Sequence, residues 1–500
     1  MFAMAWIGTR GIRELTTRYR PPPAEDRLFE RAPELAWGAI AIVLAAGIGA
    51  AIAHTPYLGL AAIALMVLVS VAIVDLAFLE RSLCLLLVFG ATVLGYGWAN
   101  LGIPGAIPIP ATEMIFIPLA AIALADPKGR LGFKPLLPLV LYGIVVAIRL
   151  VVDYPTWGIF AIRDTTPALE AFITIVGFRA VKRDGLEYWV DKMRWVAGAV
   201  LLWGMIYPLF PNQLGKQSAV GPTVGLQRST SLLDPRGVKF SAIAFGLYFV
   251  VFGRRWTRLA AMIAMIALLG VFQARTLYIA LPLALLALGW LTHTTRRIVP
   301  EFVATLAVGV VVITFIGNLG IEGSEGPVNL AFLESHASTI VGDQGPHSAT
   351  ITAREDFWHG TLNLMASTPG AYLTGLGLGP NLTFGQWTGN AGQEVRTPHN
   401  AYLEVFARTG ILGFSLWIWM LLACLIPIGR AAREDRGLRG KFCTWSLVAS
   451  LVILCVAGFQ PVLTFPYGTV PLYFVLGCGV AVAAMGNVSS ARSTELPNLA

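Results

Sequence analysis

Charged residues are scarce in this chain. Asp, Glu, Lys and Arg make up 13% of its 500 residues, where soluble proteins carry roughly 25%. Hydrophobic residues make up 56%, and the mean hydropathy is +0.70. So few charges cannot cover so much apolar mass in water. The composition excludes an ordinary soluble protein and indicates a protein dissolved in a bilayer.

Cysteine and metal-binding patterns are also lacking. The five cysteines lie in or beside apolar runs, without a disulfide framework or a CxxC pair. Neither a D-x-D pair nor an HExxH motif occurs, so the usual sequence signatures of a bound metal are missing. Lysine and arginine are scattered between the apolar runs instead of clustered. We therefore expect no metal, no cofactor and no nucleic-acid partner.

Long apolar runs dominate the sequence. A bilayer-spanning helix needs about 20 mostly apolar residues, and the runs predict an all-α polytopic membrane protein with about 12–14 transmembrane helices. Two runs are irregular. The run 166–181 is short, and the run 401–428 contains Glu404 and Arg408. We expect the first two turns of 401–428 to project from the hydrocarbon.

The basic residues predict the orientation. Cytoplasmic loops of membrane proteins collect Lys and Arg. With the amino terminus inside and the spans alternating, 26 of the 36 Lys and Arg fall on inside segments. This bias predicts an even number of spans and two cytoplasmic termini.

One outside segment, 319–400, is much longer than the others. The predicted order is a basic cytoplasmic amino-terminal segment (1–34), a transmembrane helix bundle (35–318), a large loop (319–400), carboxy-terminal transmembrane helices (401–486) and a cytoplasmic tail (487–500).

Within the large loop, TAREDFWHGTLNLM predicts an amphipathic helix lying on the membrane surface, followed by a Gly-rich loop. Thr350 or Thr352 would cap this helix, and Glu355 and Asp356 would suit its first turn. The apolar stripe comprises Phe357, Trp358, Leu362 and Met365.

Arg275 lies between two apolar runs, at the predicted start of a helix on the outside. A cation there opposes the helix dipole. An arginine beside the unpaired N–H groups of a helix start can, however, hold a phosphate. The alternative is an arginine that reaches lipid headgroups.

A second basic cluster precedes the next apolar helix upstream. Arg228, three hydroxyl residues, Arg236 and Lys239 gather there, which again suits an oxyanion. The alternative is a surface turn in which Asp234 and Pro235 start the helix.

His399 stands at the boundary between the large loop and a membrane helix. Asn400 is a natural N-cap, and Glu404 lies in the first turns that follow. An imidazole at the positive end of a helix tends to stay neutral and can accept a proton. A histidine that merely packs beside the cap is the alternative.

Four segments resemble, in order, motifs of the O-antigen ligase and polymerase superfamily. RTPHNAYLEVFARTGILGF resembles the family's His-Asn helix, and QART resembles its arginine turn. RSTSLLDPRGVKFSA is similar to its arginine and D-P-N segment, although Arg236 replaces the Asn. AREDFWHGTLNLM with GLGLG resembles its loop arginine and Gly turn. Together these matches cover about residues 225–430.

The resemblance implies a glycosyltransferase of the bacterial inner membrane with a large periplasmic loop. Its donor would be a glycan on undecaprenyl diphosphate, and its acceptor another glycan or the lipid A core. By the same resemblance, His399 would assist attack of the acceptor hydroxyl, supported by Asn400 and Glu404. Arg228, Arg275 and Arg354 would bind the diphosphate, in place of a metal. For Arg354, the alternative is an ion pair with Glu355 or Asp356.

A transporter or flippase of lipid-linked glycan is the alternative function. Such a protein should show two similar halves, interrupted helices and charges near the middle of the membrane. In the sequence only Asp75 and Arg149 suggest buried charge, and the halves look unlike. We therefore favour the enzyme.

Overall fold

The fold is taken from a computed structural model, which describes residues 75–100, 102–103, 109–126, 132–207, 237–293, 295–318, 323, 326–338, 349–383 and 395–485. The chain divides at Asp75 into two compact units, and every other described residue belongs to the second. The predicted segments 1–34 and 487–500 lie outside the described residues, as do the run 35–53 and most of the run 57–76.

Helices form almost all of the described structure. One antiparallel pair of two-residue strands, β1 (Gly102–Ile103) and β2 (Ile109–Pro110), interrupts them. The helices are α1 (Leu76–Phe89, continued by a π-turn over Gly90–Leu94), α2 (Tyr96–Asn100), α3 (Ala111–Ala125), α4 (Leu136–Trp157), α5 (Ile159–Glu170), α6 (Ile173–Asp184), α7 (Leu186–Ile206), α8 (Val238–Phe252), α9 (Arg255–Phe272), α10 (Arg275–Thr292), α11 (Thr295–Asn318), α12 (Leu330–Ser338), α13 (Ala349–Ser367), α14 (Ala371–Thr374), α15 (Ala401–Glu434), α16 (Leu438–Ala457), a 3₁₀ turn (Val462–Thr464) and α17 (Pro466–Ala483).

The membrane character of the chain is confirmed. In the described part, eight helical segments are long and apolar enough to cross a bilayer. α4 and α11 expose large apolar side chains such as Val151, Val152, Val311 and Phe315. Lipid tails are the environment in which such faces are stable. The protein is an all-α polytopic membrane protein.

α17 is the central helix and is buried along nearly its whole length. It packs most extensively against α6. Two glycines allow this approach, because a Cβ on Gly177 would collide with the carbonyl oxygen of Phe474 and a Cβ on Gly477 with that of Thr174. Small residues bring helix backbones together inside membranes. The bundle is therefore organised around the α6–α17 contact.

The prediction of one helix over 166–181 is wrong. α5 ends at Glu170 and α6 begins at Ile173. At this break, Phe172 and Thr174, the second residue of α6, donate their backbone N–H groups to carbonyls three residues back. Pro167 has no N–H to donate within α5, which weakens the helix just before the break.

Charge is buried more widely than the sequence suggested. Asp75 is exposed at the protein surface, and its depth in the membrane stays a prediction. Arg149 forms an ion pair with Asp153 on α4, at 3.3 Å. Glu170, at the end of α5, is fully buried and accepts a hydrogen bond from the Thr469 hydroxyl of α17. Other buried acidic groups include Glu80 and Glu113.

The amphipathic loop helix exists, but its boundaries differ from the prediction. α13 begins at Ala349, so Thr350 and Thr352 lie inside it and no acidic residue lies in its first turn. Of the predicted stripe, Phe357 and Met365 are buried, Trp358 is half-buried and Leu362 is 38% exposed. Leu362 therefore does not belong to the packed face. The fully buried Thr361 does, and its hydroxyl donates to the carbonyl oxygen of Leu382 at 3.0 Å.

α15 begins at Ala401, directly after Asn400, and is kinked at Gly410, whose φ of +63° is not helical. Glu404 and Arg408 are both buried and form an ion pair with each other. The projection of these turns from the hydrocarbon stays a prediction, but the two charges do not reach the protein surface. They are accommodated by pairing inside the protein, which lowers the cost of burying a charge.

Candidate functional site

His399 occupies a fixed corner of the backbone before α15. The side-chain oxygen of Asn400 accepts hydrogen bonds from the N–H groups of Tyr402 and Leu403, at 3.0 and 3.1 Å. The prediction that Asn400 caps this helix is confirmed. His399 itself has a φ of +55°, a left-handed conformation that costs on the order of 1–3 kcal/mol and persists only where the surroundings enforce it.

The ring of His399 has a defined tautomer. Its Nδ1 lies 3.1 Å from the carbonyl oxygen of Thr397. A carbonyl oxygen only accepts, so Nδ1 carries the hydrogen. Nε2 of the neutral ring then has a lone pair, and it forms no hydrogen bond within the part of the chain that the structure describes. The ring is therefore arranged to accept a proton at Nε2.

One face of α13 supports the His399 corner. Trp358 Nε1 donates a hydrogen bond to the carbonyl oxygen of Pro398 at 2.9 Å. The ring of Phe357 lies 5.9 Å from the ring of His399, centroid to centroid. Arg354 stands one turn earlier on this helix, and its positive charge acts on the imidazole. α13 therefore packs against the turn that carries His399.

The surroundings lower the pKa of His399. Burial is the largest cause, because it disfavours the charged ring. The hydrogen bond to the Thr397 carbonyl raises the pKa, and the charge of Arg354 lowers it. The net result is a pKa below the usual value of 6.5. At neutral pH the imidazole is uncharged, as a proton acceptor must be.

Arg275 is the first residue of α10, as its position in the sequence predicts. The link from α9 is only Gln273 and Ala274, and Gln273 adopts the left-handed conformation with a φ of +50°. Arg275 is half-buried. It therefore stands beside the unpaired backbone N–H groups of a helix start, which favour an anion.

The beginning of the large loop is attached to the Arg275 turn. The side-chain amide of Gln273 donates to the carbonyl oxygens of Gly326 and Pro327 at 3.0 and 3.2 Å, and its oxygen accepts from the N–H of Gly326 at 2.9 Å. Farther along the loop, the ring of His336 on α12 lies 6.1 Å from that of Tyr278 on α10. The loop therefore packs beside the residues that follow Arg275.

The turn between α16 and α17 connects the histidine and arginine regions. Gln460 donates to the hydroxyl of Thr276, the neighbour of Arg275, at 3.5 Å. The adjacent Phe459 lies against Trp358, with ring centroids 6.5 Å apart. Through this one turn, the start of α10 and the helix that supports His399 are held at the same end of the bundle.

Lys239 is a further cation at this end. It lies in the first turn of α8, and its Nζ donates to the carbonyl oxygen of Phe272, the last residue of α9, at 3.4 Å. The sequence placed Lys239 in a basic cluster suited to an oxyanion, but not among the named diphosphate-binding residues. Its contact with the end of α9 brings it close to the Gln273–Arg275 link.

Two predicted site residues are not joined to this arrangement by a described contact. Glu404 pairs with Arg408, its Oε1 lying 3.1 Å from the arginine Nε, and no hydrogen bond joins it to His399 within the described residues. Arg228 lies outside the described residues. The structure therefore brings together Arg354 and His399, with Arg275 at the same end.

No group of three or more His, Cys, Asp or Glu side chains is arranged to hold a metal ion in the described part of the chain. Arg275, Arg354 and Lys239 place positive charge at this end of the bundle. Guanidinium groups can bind the oxygens of a diphosphate in pairs.

Part of the chain is similar to a known protein family. Residues 260–418 match the sequence model of the family described as O-antigen ligase. This stretch of the chain is similar to O-antigen ligases. This match confirms the resemblance inferred from the motifs. No curated protein matches the chain at a significant level.

The matched region, residues 260–418, contains most of the candidate site. It extends from α9 into α15 and includes Arg275, Arg354, His399, Asn400 and Glu404. Lys239 and Arg228 precede it. Taken with the apolar helices, the match supports a multi-pass membrane protein of the O-antigen ligase type that handles glycans.

Proposed function

We propose that this protein transfers or polymerises a polysaccharide carried on undecaprenyl diphosphate. The acceptor is either another glycan or the lipid A core. The observation that carries the proposal is the arrangement at one end of the bundle, where a neutral histidine and the arginine-bearing start of α10 are joined through the α16–α17 turn. This arrangement lies in and beside the region that is similar to O-antigen ligases.

The proposed reaction is a displacement at the anomeric carbon of the donor. Nε2 of His399 accepts the proton of the acceptor hydroxyl as its oxygen forms the new bond to this carbon. The bond between the carbon and the diphosphate oxygen breaks, and the lipid diphosphate leaves with the electron pair. Arg275, Arg354 and Arg228 stabilise its negative charge. In this mechanism the arginines replace a metal ion.

Two features support the assignment of roles. The tautomer of His399 leaves the lone pair on Nε2, which a base requires. The lowered pKa keeps the ring uncharged in the neutral range. A diphosphate carries several anionic oxygens, and the turn at Arg275, with Lys239 beside the end of α9, offers cations together with backbone N–H groups.

We further propose that this end faces the periplasm and that both termini are cytoplasmic, in the inner membrane. The bias of Lys and Arg between the two sides supports this orientation. Single cysteines at the exposed Glu334 and Glu434, with Cys455 replaced by Ser, test it. An impermeant thiol reagent should label only position 334 in intact spheroplasts, and equal labelling would contradict the orientation.

Deletion of the gene, followed by analysis of surface polysaccharide, tests the function. Loss of all attached chains would identify a ligase, because chains are made but not transferred. Attached chains one repeat long would identify a polymerase. A normal polysaccharide profile would contradict the proposal.

Transport of the lipid-linked glycan remains a second candidate because of one observation. The bundle buries Glu113 and Glu170, and the latter stands at the break between α5 and α6. Interrupted helices and buried charge are typical of transporters. Purified protein in detergent distinguishes the two functions, because a detergent solution has no second compartment into which a glycan could be transported. A transferase joins glycan to acceptor there, whereas a transporter does not.

A further inference from the structure

The Gly-rich turn 375–380 docks on the kinked part of α15. At Gly410 the non-helical backbone interrupts the helical hydrogen-bond pattern. Two carbonyl oxygens before the kink accept bonds from the turn instead, Ala407 from the N–H of Leu376 at 2.7 Å and Arg408 from the N–H of Gly377 at 3.2 Å. The turn is therefore held by the backbone of the helix that begins beside His399.

The same turn binds two carboxylates of neighbouring helices. Asp153 of α4 accepts a hydrogen bond from the N–H of Leu378 at 2.7 Å. Asp164 of α5 accepts one from the N–H of Gly379 at 2.9 Å. Because the glycines of this turn have positive φ values, its N–H groups can point toward both acids. The turn thus links α15 to the transmembrane bundle.

Arg408 is the cation at the centre of this junction. Its Nη1 lies 2.7 Å from Oδ2 of Asp164, and its Nε lies 3.1 Å from Oε1 of Glu404. All three side chains are buried, with at most 7% of any of them exposed. Without the guanidinium, two buried carboxylates would have no buried cation between them. A lysine cannot reproduce this, because its ammonium lacks the forked geometry.

The chain before His399 is attached to the same turn. The guanidinium of Arg396 donates to the carbonyl oxygen of Gly379. The carbonyl oxygen of Arg396 also accepts from the N–H of Leu382, two residues after the turn, at 3.2 Å. Both arms of the His399 corner, the segment 395–398 and the first turns of α15, are therefore anchored on one Gly-rich turn. The left-handed backbone of His399 is fixed between them.

We propose that Arg408 is a positioning residue for His399. By holding Asp164 and Glu404 together, it keeps the Gly-rich turn against α15, and the turn keeps the imidazole in its half-buried place beside α13. This inference rests on the proposed role of His399 as a base. Glu404 then acts through Arg408 and does not touch the substrate.

Arg408→Lys is the test variant, and Arg163→Lys is the matched control. Arg163 also pairs with Asp164, at 2.9 Å, but its side chain is 45% exposed, so screening by water weakens the pair. The variants are compared in purified full-length protein with a lipid-linked glycan donor and its acceptor. The measurements are kcat, the KM for the donor, and the dependence of rate on pH.

We expect Arg408→Lys to lower kcat at least about tenfold while KM for the donor changes less than about twofold, because the arginines at the donor site are untouched. The midpoint of the pH profile should move upward, because a displaced imidazole is less buried. Arg163→Lys should have the kcat, the KM for the donor and the pH midpoint of the wild type. A merely structural role would reduce the amount of folded protein without moving the midpoint.

If Arg408→Lys does not fold, the same kinetics and pH profile are measured on Asp164→Asn. Wild-type kcat and midpoint in the folded variant would overturn the positioning role. So would loss of folded protein in both variants, because the ion network would then be a requirement for folding. His399→Ala, measured alongside, separates the proposals. If it is inactive while Arg408→Lys behaves as wild type, only the inference fails; if it is active, the proposed base fails and the inference with it.

Discussion

Trp358 donates its indole N–H to the carbonyl oxygen of Pro398, the residue immediately before His399. This bond ties the middle of the loop helix α13 to the corner from which α15 begins. We predict that Trp358→Phe, which keeps an aromatic ring but loses the donor, lowers kcat about tenfold or more, because small displacements of a catalytic group are costly. It should lower the free energy of unfolding by only about 1 kcal/mol.

Steady-state kinetics and thermal unfolding in detergent measure both effects. Trp195→Phe is the control, because Trp195 on α7 is 69% exposed and should tolerate the change. Full activity of Trp358→Phe would show that the bond does not hold a catalytic group.

The second prediction concerns pH. Because the pKa of His399 lies below its usual value, kcat/KM should rise with pH and reach half its maximum below pH 6.5. Arg354→Gln removes a positive charge that lowers this pKa, so the midpoint should move upward in that variant. The pH profile of kcat/KM checks both statements, with the exposed Arg255→Gln as the control. A midpoint that is unchanged or lower in Arg354→Gln would contradict the electrostatic role.

The third prediction separates diphosphate binding from headgroup anchoring at Arg275. Arg275→Lys should reduce kcat/KM about tenfold or more, nearly as much as Arg275→Ala, because an ammonium cannot hold two diphosphate oxygens with a planar fork. Arg255→Lys is a matched control, since Arg255 is also the first residue of a helix but is exposed. Full activity of Arg275→Lys would make Arg275 a headgroup anchor.

The fourth prediction concerns metals. If the arginines supply the positive charge for the leaving diphosphate, turnover of purified protein should continue in excess EDTA. Higher ionic strength should raise the KM for the donor, though less than for fully exposed charges. Loss of activity in EDTA that magnesium or manganese restores would contradict a metal-independent mechanism.

Hydropathy and short motifs predicted much of this fold. The long spans follow from composition, since a run of apolar residues has few alternatives to a membrane helix. Asn400 could be identified as the cap because an Asn before an apolar run is a strong helix-start signal. The start of α10 at Arg275 followed from two apolar runs with almost no link between them. These features depend only on neighbouring residues.

Features that depend on distant pairing were not predicted. The buried pairing of Arg408 was not predicted, because its partner Asp164 lies far away in the sequence. The break after Glu170 was missed because the run 166–181 has apolar residues on both sides of it. The support of His399 by Trp358 was also missed, although Trp358 stands four residues after Arg354 and thus on the same helix face.

Transfer by purified His399→Ala protein tests the central claim most directly. Wild-type protein, His399→Ala and His359→Ala are incubated with a labelled glycan on undecaprenyl diphosphate and with acceptor, and the transferred label is counted. His359 is exposed on α13 and serves as the control. We predict transfer by the wild type and by His359→Ala, and none by a folded His399→Ala protein. Transfer by His399→Ala at the wild-type rate would contradict the account.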